Sequence, residues 1–333
     1  MISSLLPSKR LPRPVVVLTG ASSGIGRATA LAFAREGAHL VLAARGREAL
    51  ETVAQECQRA GARAIAVPTD VTDIKAVRAL ASAAVERFGG IDVWINNVGT
   101  GAVGAYDSTP MESHRRVIET NLIGHMNGAY AVLKHFRRRR HGTLINMISS
   151  GGWAPAPYAA AYTASKFGLV GFSDALRAEL KDLPEVHVCD IYPSFADTPG
   201  LSHGANYTGK KLRAPPPLVD PRAIADTIVA VARYPRRTTG VGSLAWPARI
   251  AHTLAPGLTG RLVVGAADRA IRRADPVPMT DGNLFEPSRG HAVDGGMRAQ
   301  NRGLSAAAAG LGAFVALGAV GLGVLWARRG DGR

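Results

Sequence analysis

The chain has 333 residues, of which 47% are hydrophobic and 20% are charged, so it can bury a core and is not globally disordered. Its formal net charge of +15 favours an anionic partner: nucleic acid, a phosphorylated cofactor or an acidic membrane surface. An Arg-rich source composition explains the charge equally well. Because no helix-turn-helix, zinc-finger or RNA-binding signature accompanies the charge, we expect no nucleic-acid partner.

The cysteines and the first residues indicate the compartment. Cys57 and Cys189 lie far apart in the sequence, without a paired spacing, so we expect neither a disulfide framework nor a metal site. In the N-terminal lead, residues 1–13, a short apolar run precedes the basic residues, which reverses the order of a secretory signal. We therefore expect a cytoplasmic catalytic domain.

Short β-branched runs alternate with longer helical patterns between Val15 and about Tyr192. The predicted strands are Val15–Thr19, Leu40–Ala43, Arg63–Val67, Ile91–Asn96, Thr143–Ser149 and Val186–Tyr192. The predicted helices begin near Gly24, Arg47, Asp73, Ser113 and Ala160. Because several strands are apolar on both faces, helices should cover both sides of a parallel sheet. The fold class is therefore α/β, with a doubly wound parallel sheet of the Rossmann-like, three-layer α/β/α kind.

After Pro193 the pattern becomes less regular. Helical patterns run from about Pro221 to Arg233 and from about Ala248 to Arg272. We expect residues 193–273 to shape a substrate pocket, so that the catalytic domain covers residues 14–273. Residues 274–302 are rich in polar residues, Gly and Pro and show little periodicity, which predicts a linker.

The last part of the chain is hydrophobic. Residues 303–327 contain no charged side chain, and a helix of that length measures roughly 37 Å, enough to cross a hydrocarbon core of about 30 Å. We interpret this segment as a C-terminal hydrophobic helix and membrane anchor, followed by a basic tail, residues 328–333. Because Ala and Gly outnumber the larger apolar residues, a buried or dimer-packing helix is the alternative. Basic residues flank both ends, so the orientation stays open.

A glycine-rich motif joins the first predicted strand to the first helix. It runs from Thr19 to Gly26 with the sequence TGASSGIG. Glycines at this junction allow a tight turn, close approach of a pyrophosphate and close packing of the helix on the sheet. The helix N-terminus adds free N–H groups and a positive dipole end. The residues expected to contact a dinucleotide cofactor here are Gly20, Ser22, Ser23, Gly24, Ile25 and Gly26. A glycine-rich turn without a ligand is the alternative.

The end of the second strand predicts which dinucleotide binds. In NAD enzymes a carboxylate at this position accepts hydrogen bonds from the ribose hydroxyls. Here Ala44 is followed by Arg45, with no carboxylate. Since a guanidinium can form charge-assisted bonds to a 2′-phosphate, we expect NADP(H) rather than NAD(H). A solvated loop charge at Arg45 is the alternative.

Three motifs occur in order along the chain: TGASSGIG at Thr19–Gly26, NNVG at Asn96–Gly99 and YTASK at Tyr162–Lys166. In residues and spacing they resemble the short-chain dehydrogenase/reductase superfamily over about residues 14–200. The chain departs from the usual pattern at Val98, where the family has Ala, and at Ser194, where it has Gly. By resemblance, the adenine contacts would be Asp70 and Val71, the cofactor-lining residues Asn97 and Gly99, and the contacts beside the nicotinamide Pro193 and Thr198.

Tyr162 and Lys166 are four residues apart in a helical pattern, so both side chains lie on one helix face. The ordinary pKa of tyrosine, about 10, is too high for proton exchange near neutrality, and a nearby ammonium should lower it. The resemblance assigns this role to Lys166, together with contacts to the nicotinamide ribose. Tyr158 is a rival to Tyr162, but no lysine follows it at the same spacing.

Two further residues complete the predicted catalytic set. Ser149 ends a predicted strand thirteen positions before Tyr162, where the family has its catalytic serine, and its neighbour Ser150 is the competitor. The Ser149 hydroxyl would hydrogen-bond the substrate carbonyl oxygen as negative charge develops. Asn121 fits the family's helix asparagine, which holds a water that extends a proton relay from the lysine. An ordinary packed polar residue is the alternative for Asn121.

These observations predict an NADP(H)-dependent oxidoreductase that interconverts a carbonyl and an alcohol, and the hydrophobic tail points to a lipophilic substrate. The alternative is a non-catalytic NADP(H)-binding protein with a regulatory or membrane-associated role. The helices around residues 113–136 and 160–181 resemble those that pair subunits in the family, which implies a homodimer or homotetramer.

Overall fold

The computed structural model describes residues 13–288 and 290–300 of the chain. Its strands are β1 (Val15–Thr19), β2 (His39–Ala44), β3 (Arg63–Pro68), β4 (Val93–Asn96), β5 (Ala102–Val103), β6 (Gly142–Met147), β7 (Val186–Pro193), β8 (Ala205–Asn206) and β9 (Thr238–Val241). Seven of them form one parallel sheet in the order β3-β2-β1-β4-β6-β7-β9, and β5 pairs with β8 beside it. This sheet confirms the predicted Rossmann-like α/β class.

Helices flank the sheet on both faces. They are α1 (Gly24–Arg35), α2 (Arg47–Arg59), α3 (Ile74–Phe88), α4 (Met111–Ile118), α5 (Gly124–Arg139), α6 (Ala160–Glu179), α7 (Gly200–His203), α8 (Pro221–Arg233), α9 (Ala245–Leu254), α10 (Pro256–Arg273) and α11 (Met297–Gln300). Local chemistry sets several ends: the Asp73 carboxylate accepts a hydrogen bond from the N–H of Lys75 and caps α3, and Gly89 ends α3 in the left-handed conformation.

Alternate residues of each central strand pack into two different cores. Val16 and Leu18 of β1 pack with α1, α2 and α8, whereas Val17 packs on the other face with α3, α5 and α6. Trp94 of β4 is fully buried in the second core. Each such buried side chain stabilises the fold by roughly 1.5–3 kcal/mol. Because both faces of the strands are covered, the strands are apolar throughout.

The order of the strands places a crevice at one edge of the sheet. The chain winds outwards from β1 through β2 to β3, then returns to β4 and winds the other way. Adjacent loops after β1 and β4 therefore diverge at the carboxyl edge of the sheet, which is where open α/β sheets bind ligands. The glycine-rich turn follows β1, and Asn97 and Gly99 follow β4.

The predicted elements agree with the structure over most of the chain. All six predicted strands are present, each within two residues of its predicted bounds. The single helix predicted over 248–272 is wrong, because the chain breaks into α9 and α10 at Pro256. Proline has no N–H to donate to the preceding turn, but it is favourable at the start of a new helix. Strand β9 was not predicted from the sequence.

The segment predicted as a linker is attached to the body of the protein. Thr280 forms a bridge with Asn206, and Pro276 forms one with Lys210. Leu284 is only 1% exposed and lies in a small core with Ala102 and Tyr162. Parts of the predicted linker, residues 274–302, are therefore held against the catalytic domain by main-chain hydrogen bonds, which need no sequence periodicity.

The predicted hydrophobic helix, residues 303–327, and the N-terminal lead up to residue 12 lie outside the described residues. Across residues 13–288 and 290–300, none of the helices has both the length and the apolar composition to cross a membrane.

Candidate active site

The glycine turn after β1 forms a cradle that side chains leave open. Gly20 and Gly24 have φ angles of +67° and +54°, which favour glycine. A Cβ atom built on Gly26 would lie 1.9 Å from the carbonyl oxygen of Gly20, so a larger residue does not fit. The Asn97 amide donates to the carbonyl oxygens of Thr19 and Gly20, both at 3.1 Å, and fixes the turn. This cradle at the N-terminus of α1 fits the pyrophosphate of a dinucleotide.

A cleft at the carboxyl edge of the sheet brings together most of the predicted cofactor residues. Those that line it are Gly20, Ser22, Ser23, Gly24, Ile25, Gly26, Arg45, Asp70, Val71, Asn97, Gly99 and Thr198. Pro193 instead ends β7, where it pairs with Val241 of β9. The cleft also has walls that the sequence did not predict, formed by Thr100, Arg116, Thr120, His203, Asn283, Pro287 and Ser288.

An ion pair forms one corner of this cleft. Arg116 of α4 donates to the Asp70 carboxylate at 2.9 Å and to the Thr72 hydroxyl at 3.0 Å. Burial acts to raise the pKa of Asp70, but hydrogen bonds from Thr72 and Arg116 outweigh it and lower the pKa. Asp70 is therefore ionised at neutral pH and its position is fixed. Arg116 was missed from the sequence because an arginine on a surface helix gives no signal of the contact it makes.

Arg45 is not a solvated loop charge. Its Nη1 donates to the carbonyl oxygens of Leu284 and Phe285, both at 3.2 Å. Its Nη2 donates to the carbonyl oxygens of Asn283 and Glu286, at 2.5 and 2.8 Å. The guanidinium that the sequence assigns to a 2′-phosphate is thus held by main-chain acceptors of the same chain.

Ser149 lies just beyond β6, which ends at Met147, two residues before the predicted strand end. Its backbone has φ +146° and ψ 160°, a region that is almost restricted to glycine. Holding a serine there costs about 1–3 kcal/mol, and such strain clusters at active sites. The Ser149 hydroxyl accepts a hydrogen bond from the N–H of Gly151 at 3.1 Å, which directs it towards α6.

Tyr162 lies in the first turn of α6, with its hydroxyl beside Ser149. Burial of the hydroxyl raises the pKa of Tyr162, and a hydrogen bond from Ser149 opposes that rise. The sequence-based expectation that Lys166 lowers this pKa is therefore not met in this structure. Lys166 Nζ lies 5.7 Å from the centroid of the tyrosine ring, and burial has the larger effect.

Lys166 is one turn further along α6 and is 3% exposed. Its Nζ donates to the carbonyl oxygen of Met147 at 2.8 Å. Burial lowers the pKa of Lys166 to about 7, so the amine can change its charge near neutral pH. A Cβ atom built on Gly99 would lie 3.8 Å from Nζ, which places the amine directly behind the floor of the cleft.

Asn121 lies in a π-helical turn, Glu119–Ile123, between α4 and α5. Its side chain clamps Thr100: Oδ1 accepts from the Thr100 N–H and Nδ2 donates to the Thr100 carbonyl oxygen, both at 2.9 Å. Nδ2 also donates to the Ser165 hydroxyl at 3.1 Å. Turns of this kind often mark functional sites. Here the side chain positions the loop that follows β4 and leads out of the cleft.

The two cysteines are not reactive groups. Cys57 and Cys189 are buried free thiols, and burial raises the pKa of each to about 12, which makes them unreactive. Within the part of the chain that the structure describes, no group of three His, Cys, Asp or Glu side chains could hold a metal ion.

Comparison with known proteins identifies the family. The family model described as short chain dehydrogenase matches residues 14–205. The chain is 36% identical over 265 residues to the uncharacterized oxidoreductase YxnA of Bacillus subtilis, covering 79% of this chain and 74% of that protein. It is 34% identical over 266 residues to dehydrogenase/reductase SDR family member 7B of Bos taurus, covering 76% and 81%.

Solved structures give the same result. A crystal structure of an actinorhodin polyketide ketoreductase variant with NADPH superposes with a TM-score of 0.63 at 32% identity, covering 68% of this chain and 95% of that chain. By sequence, a putative ketoacyl reductase of Streptomyces coelicolor is 38% identical over 187 residues, covering 56% of this chain and 71% of that protein. Because the family model spans more than half of the chain, from the glycine turn through Ser149 and Tyr162 to Thr198, the chain belongs to the short chain dehydrogenase family of oxidoreductases.

Proposed function

We propose that this chain is an NADP(H)-dependent oxidoreductase that interconverts a carbonyl and an alcohol, with Tyr162 as the acid/base. One observation carries the proposal. Ser149 and Tyr162 lie side by side at the Gly151 turn, and Lys166 lies behind Gly99, which lines the cleft that contains the glycine cradle, although none of the three side chains lines that cleft itself. A hydroxyl donor, a phenol and a buried amine next to a dinucleotide site are the groups that carbonyl reduction requires.

The side chains divide the chemistry between them. When bound, the reduced nicotinamide supplies the hydride. Ser149 donates a hydrogen bond to the substrate carbonyl oxygen and stabilises the negative charge that develops there. Tyr162 gives that oxygen its proton, and in the reverse direction it removes the proton from the alcohol. Lys166 in its ammonium form compensates the charge of the phenolate that remains.

The proton must then be replaced from solvent. With its pKa near 7, Lys166 can hand a proton on without a large free-energy cost. Asn121 is the next residue towards the solvent in the predicted relay. Because the side chain of Asn121 is already hydrogen-bonded to Thr100 and Ser165, a relay water here would be held by the main-chain carbonyl oxygen of Asn121.

Three observations support NADP(H) over NAD(H). The end of β2 offers the guanidinium of Arg45 and no carboxylate, which suits a 2′-phosphate. The similar actinorhodin ketoreductase was crystallised with NADPH. A second similar structure, an alcohol dehydrogenase from Thermococcus sibiricus with a TM-score of 0.59 and 27% identity, was solved with 5-hydroxy-NADP. In this arrangement Thr198 would lie beside the nicotinamide amide.

A lipophilic substrate is a further part of the proposal, which rests on aromatic residues packed near the Ser149 turn. Trp153 stacks on Tyr192 at a ring distance of 3.9 Å, and Trp246 of α9 packs on Trp153 at 5.0 Å. Trp153 and Tyr192 are buried in a small core with Leu169, whereas Trp246 is 45% exposed and is the ring of this group that can contact a substrate. Two similar proteins are named as reductases of ketoacyl and polyketide compounds, which are such substrates.

Assembly and membrane attachment are further parts of this proposal. Exposed apolar side chains on α5 and α6, among them Met126, Tyr130 and Phe167, form a surface that suits a homodimer or homotetramer. The uncharged segment 303–327 suits a membrane anchor that keeps the catalytic domain at the cytoplasmic face. Light scattering tests the first part, and flotation of the full chain with lipid vesicles tests the second.

The function is tested by a fluorescence titration of the full chain with NADPH and NADH, followed by a panel of lipophilic ketones. We expect tighter binding of NADPH and oxidation of bound NADPH when a substrate ketone is added. A protein that binds NADPH but reduces none of a broad panel would instead support the non-catalytic alternative. A protein that binds neither dinucleotide would contradict the proposal.

A further inference from the structure

A strap of chain, which we define as residues 281–288 and 290–298, follows the cofactor cleft from one end to the other. At its first end the carbonyl oxygens of residues 283–286 surround the two terminal nitrogens of Arg45. Leu284 also accepts from Arg116 at 3.0 Å. The side chains of Asn283 and Thr100 join the strap to the loop after β4 at 2.7 Å.

The middle of the strap meets the start of α1. The carbonyl oxygen of Ala292 accepts from the N–H of Gly24 at 2.9 Å, and the carbonyl oxygen of His291 accepts from Arg27. A carbonyl oxygen therefore uses one of the helix N–H groups that suit phosphate oxygens.

The far end of the strap is fixed beside the predicted nicotinamide contact, Thr198. The Asp197 carboxylate accepts from the N–H groups of Met297 and Arg298, at 2.8 and 3.0 Å. Asp294 pairs with Arg222 of α8 at 2.7 Å. Asp197 is 2% exposed, so this end is strongly held, whereas the turn at 283–286 is held by its main-chain oxygens and by the buried side chain of Leu284.

The strap occupies the N–H groups of Arg45 that a 2′-phosphate would bind. Each terminal nitrogen of a guanidinium carries two N–H groups, and the strap supplies one acceptor for each of these four. Any bidentate contact between a phosphate and Arg45 uses at least one terminal nitrogen, so it requires at least one of these acceptors to leave. A phosphate carries a negative charge that attracts the guanidinium, which the neutral carbonyl oxygens lack, and it can bind the guanidinium in the bidentate manner, so a charged ligand can compete with them.

Resting on the proposed NADP(H) function, we infer that the 283–286 turn of the strap competes with the cofactor's 2′-phosphate for Arg45 and thereby sets the selectivity between the two dinucleotides. NADPH gains a phosphate–guanidinium contact when the turn is displaced. NADH has no group that replaces the carbonyl oxygens and binds with the turn in place. Since Asn283, Pro287 and Ser288 line the cleft rather than fill it, the space beneath the strap stays available.

The geometry offers a direct way to lock the turn. A Cβ atom built on Gly46 would lie 3.6 Å from the Cβ of Pro287, within the range of about 3.5–4.5 Å that a disulfide spans. Gly46 has φ −79°, which a cysteine adopts without strain. The native thiols Cys57 and Cys189 are buried, so they do not compete for the new bond.

The test uses the full chain with Gly46→Cys and Pro287→Cys together, and each single variant as a control. Mass spectrometry of non-reduced peptides checks the disulfide, and calorimetry gives the dissociation constants for NADPH and NADH in the oxidised and reduced protein. Loss of a charge-assisted contact should raise the dissociation constant for NADPH about tenfold or more on oxidation. The constant for NADH should change less than about threefold, and the single variants should not respond.

Each other outcome overturns the inference. If the oxidised protein binds NADPH as well as the reduced protein does, the turn does not compete for Arg45. If both dinucleotides lose affinity equally, the strap closes the cleft without selecting between them. If the disulfide does not form, the turn does not rest on Gly46. If the reduced protein binds neither dinucleotide, the proposed function itself fails and this inference falls with it.

Discussion

The two ends of the cofactor cleft are built in different ways. At the catalytic end, Ser149 comes from the turn after β6, and Tyr162 and Lys166 come from α6, the next long helix in the chain. Their side chains are assembled in the structure as it stands. At the opposite end, the cation that suits a phosphate is bound by main-chain oxygens from a segment about 240 residues later in the chain.

The difference separates the functions that depend on the identity of side chains from those that depend on main-chain contacts. The catalytic end depends on the identity and spacing of a few residues, so substitutions there should remove the chemistry and spare binding. The opposite end depends on competition between the chain's own carbonyl oxygens and a ligand. Changes there should alter which dinucleotide binds while sparing the chemistry.

The broadest effect, on cofactor binding and therefore on all turnover, is expected at the glycine cradle. Gly26→Ala places a methyl group against the Gly20 carbonyl oxygen and should lower the affinity for NADPH at least about hundredfold, because the cradle must move. Gly171→Ala is the matched control, since no atom lies within 4 Å of its added methyl group. Calorimetric titration measures both variants. Equal affinities in the two would show that the turn does not hold the cofactor.

A narrower effect, on the chemical step alone, is expected at the catalytic end. Ser149→Ala should lower kcat by about 10²–10³ without weakening cofactor binding, because one donor to the developing oxyanion is lost. Ser150→Ala is the control and should keep its activity. Ser149→Gly should be equally inactive but more stable than Ser149→Ala by about 1 kcal/mol, since glycine relieves the positive φ. Steady-state kinetics and thermal unfolding measure these effects. A larger loss of kcat in the Ser150→Ala variant than in the Ser149→Ala variant would assign the catalytic role to Ser150.

The smallest effect is a pH dependence set by Lys166. Because its pKa in the folded protein is about 7, the ammonium form that compensates the phenolate is lost as the pH rises through 7. Carbonyl reduction should therefore fall by up to about tenfold per pH unit above that value, whereas alcohol oxidation should not. A reduction rate that is independent of pH from about 6 to 9 would contradict this role.

The same pKa shift of Lys166 should affect stability. The unfolded chain keeps the lysine proton up to the ordinary pKa of 10.5, so the free energy of unfolding should rise with pH between about 7 and 10.5.

Much of the fold could be predicted from the sequence because its signals are local. The strand Val15–Thr19 and the start of α1 at Gly24 agree with the prediction to the residue, since apolar β-branched residues and a glycine turn mark both. The helix predicted over residues 248–272 is interrupted at Pro256, because proline lacks the N–H that would continue the preceding helix.

The site was predictable only in part, for a physical reason. Tyr162, Lys166 and Ser149 carry side-chain chemistry at fixed spacings, and the structure places them together. The contacts of Arg45 could not be predicted, because every acceptor is a main-chain oxygen, which all residues share. The raised pKa of Tyr162 also depends on three-dimensional burial, which the spacing to Lys166 does not report.

The most direct test of the catalytic assignment compares Tyr162→Phe with Tyr158→Phe in the full chain. Tyr158 donates its hydroxyl to Asp268 of α10, away from the Ser149 and Lys166 pair, so it is a matched control. We expect Tyr162→Phe to keep its affinity for NADPH within about threefold and to lose carbonyl reduction by at least about 10³-fold, with Tyr158→Phe still active. Full reduction of a confirmed substrate by the Tyr162→Phe protein would contradict the account.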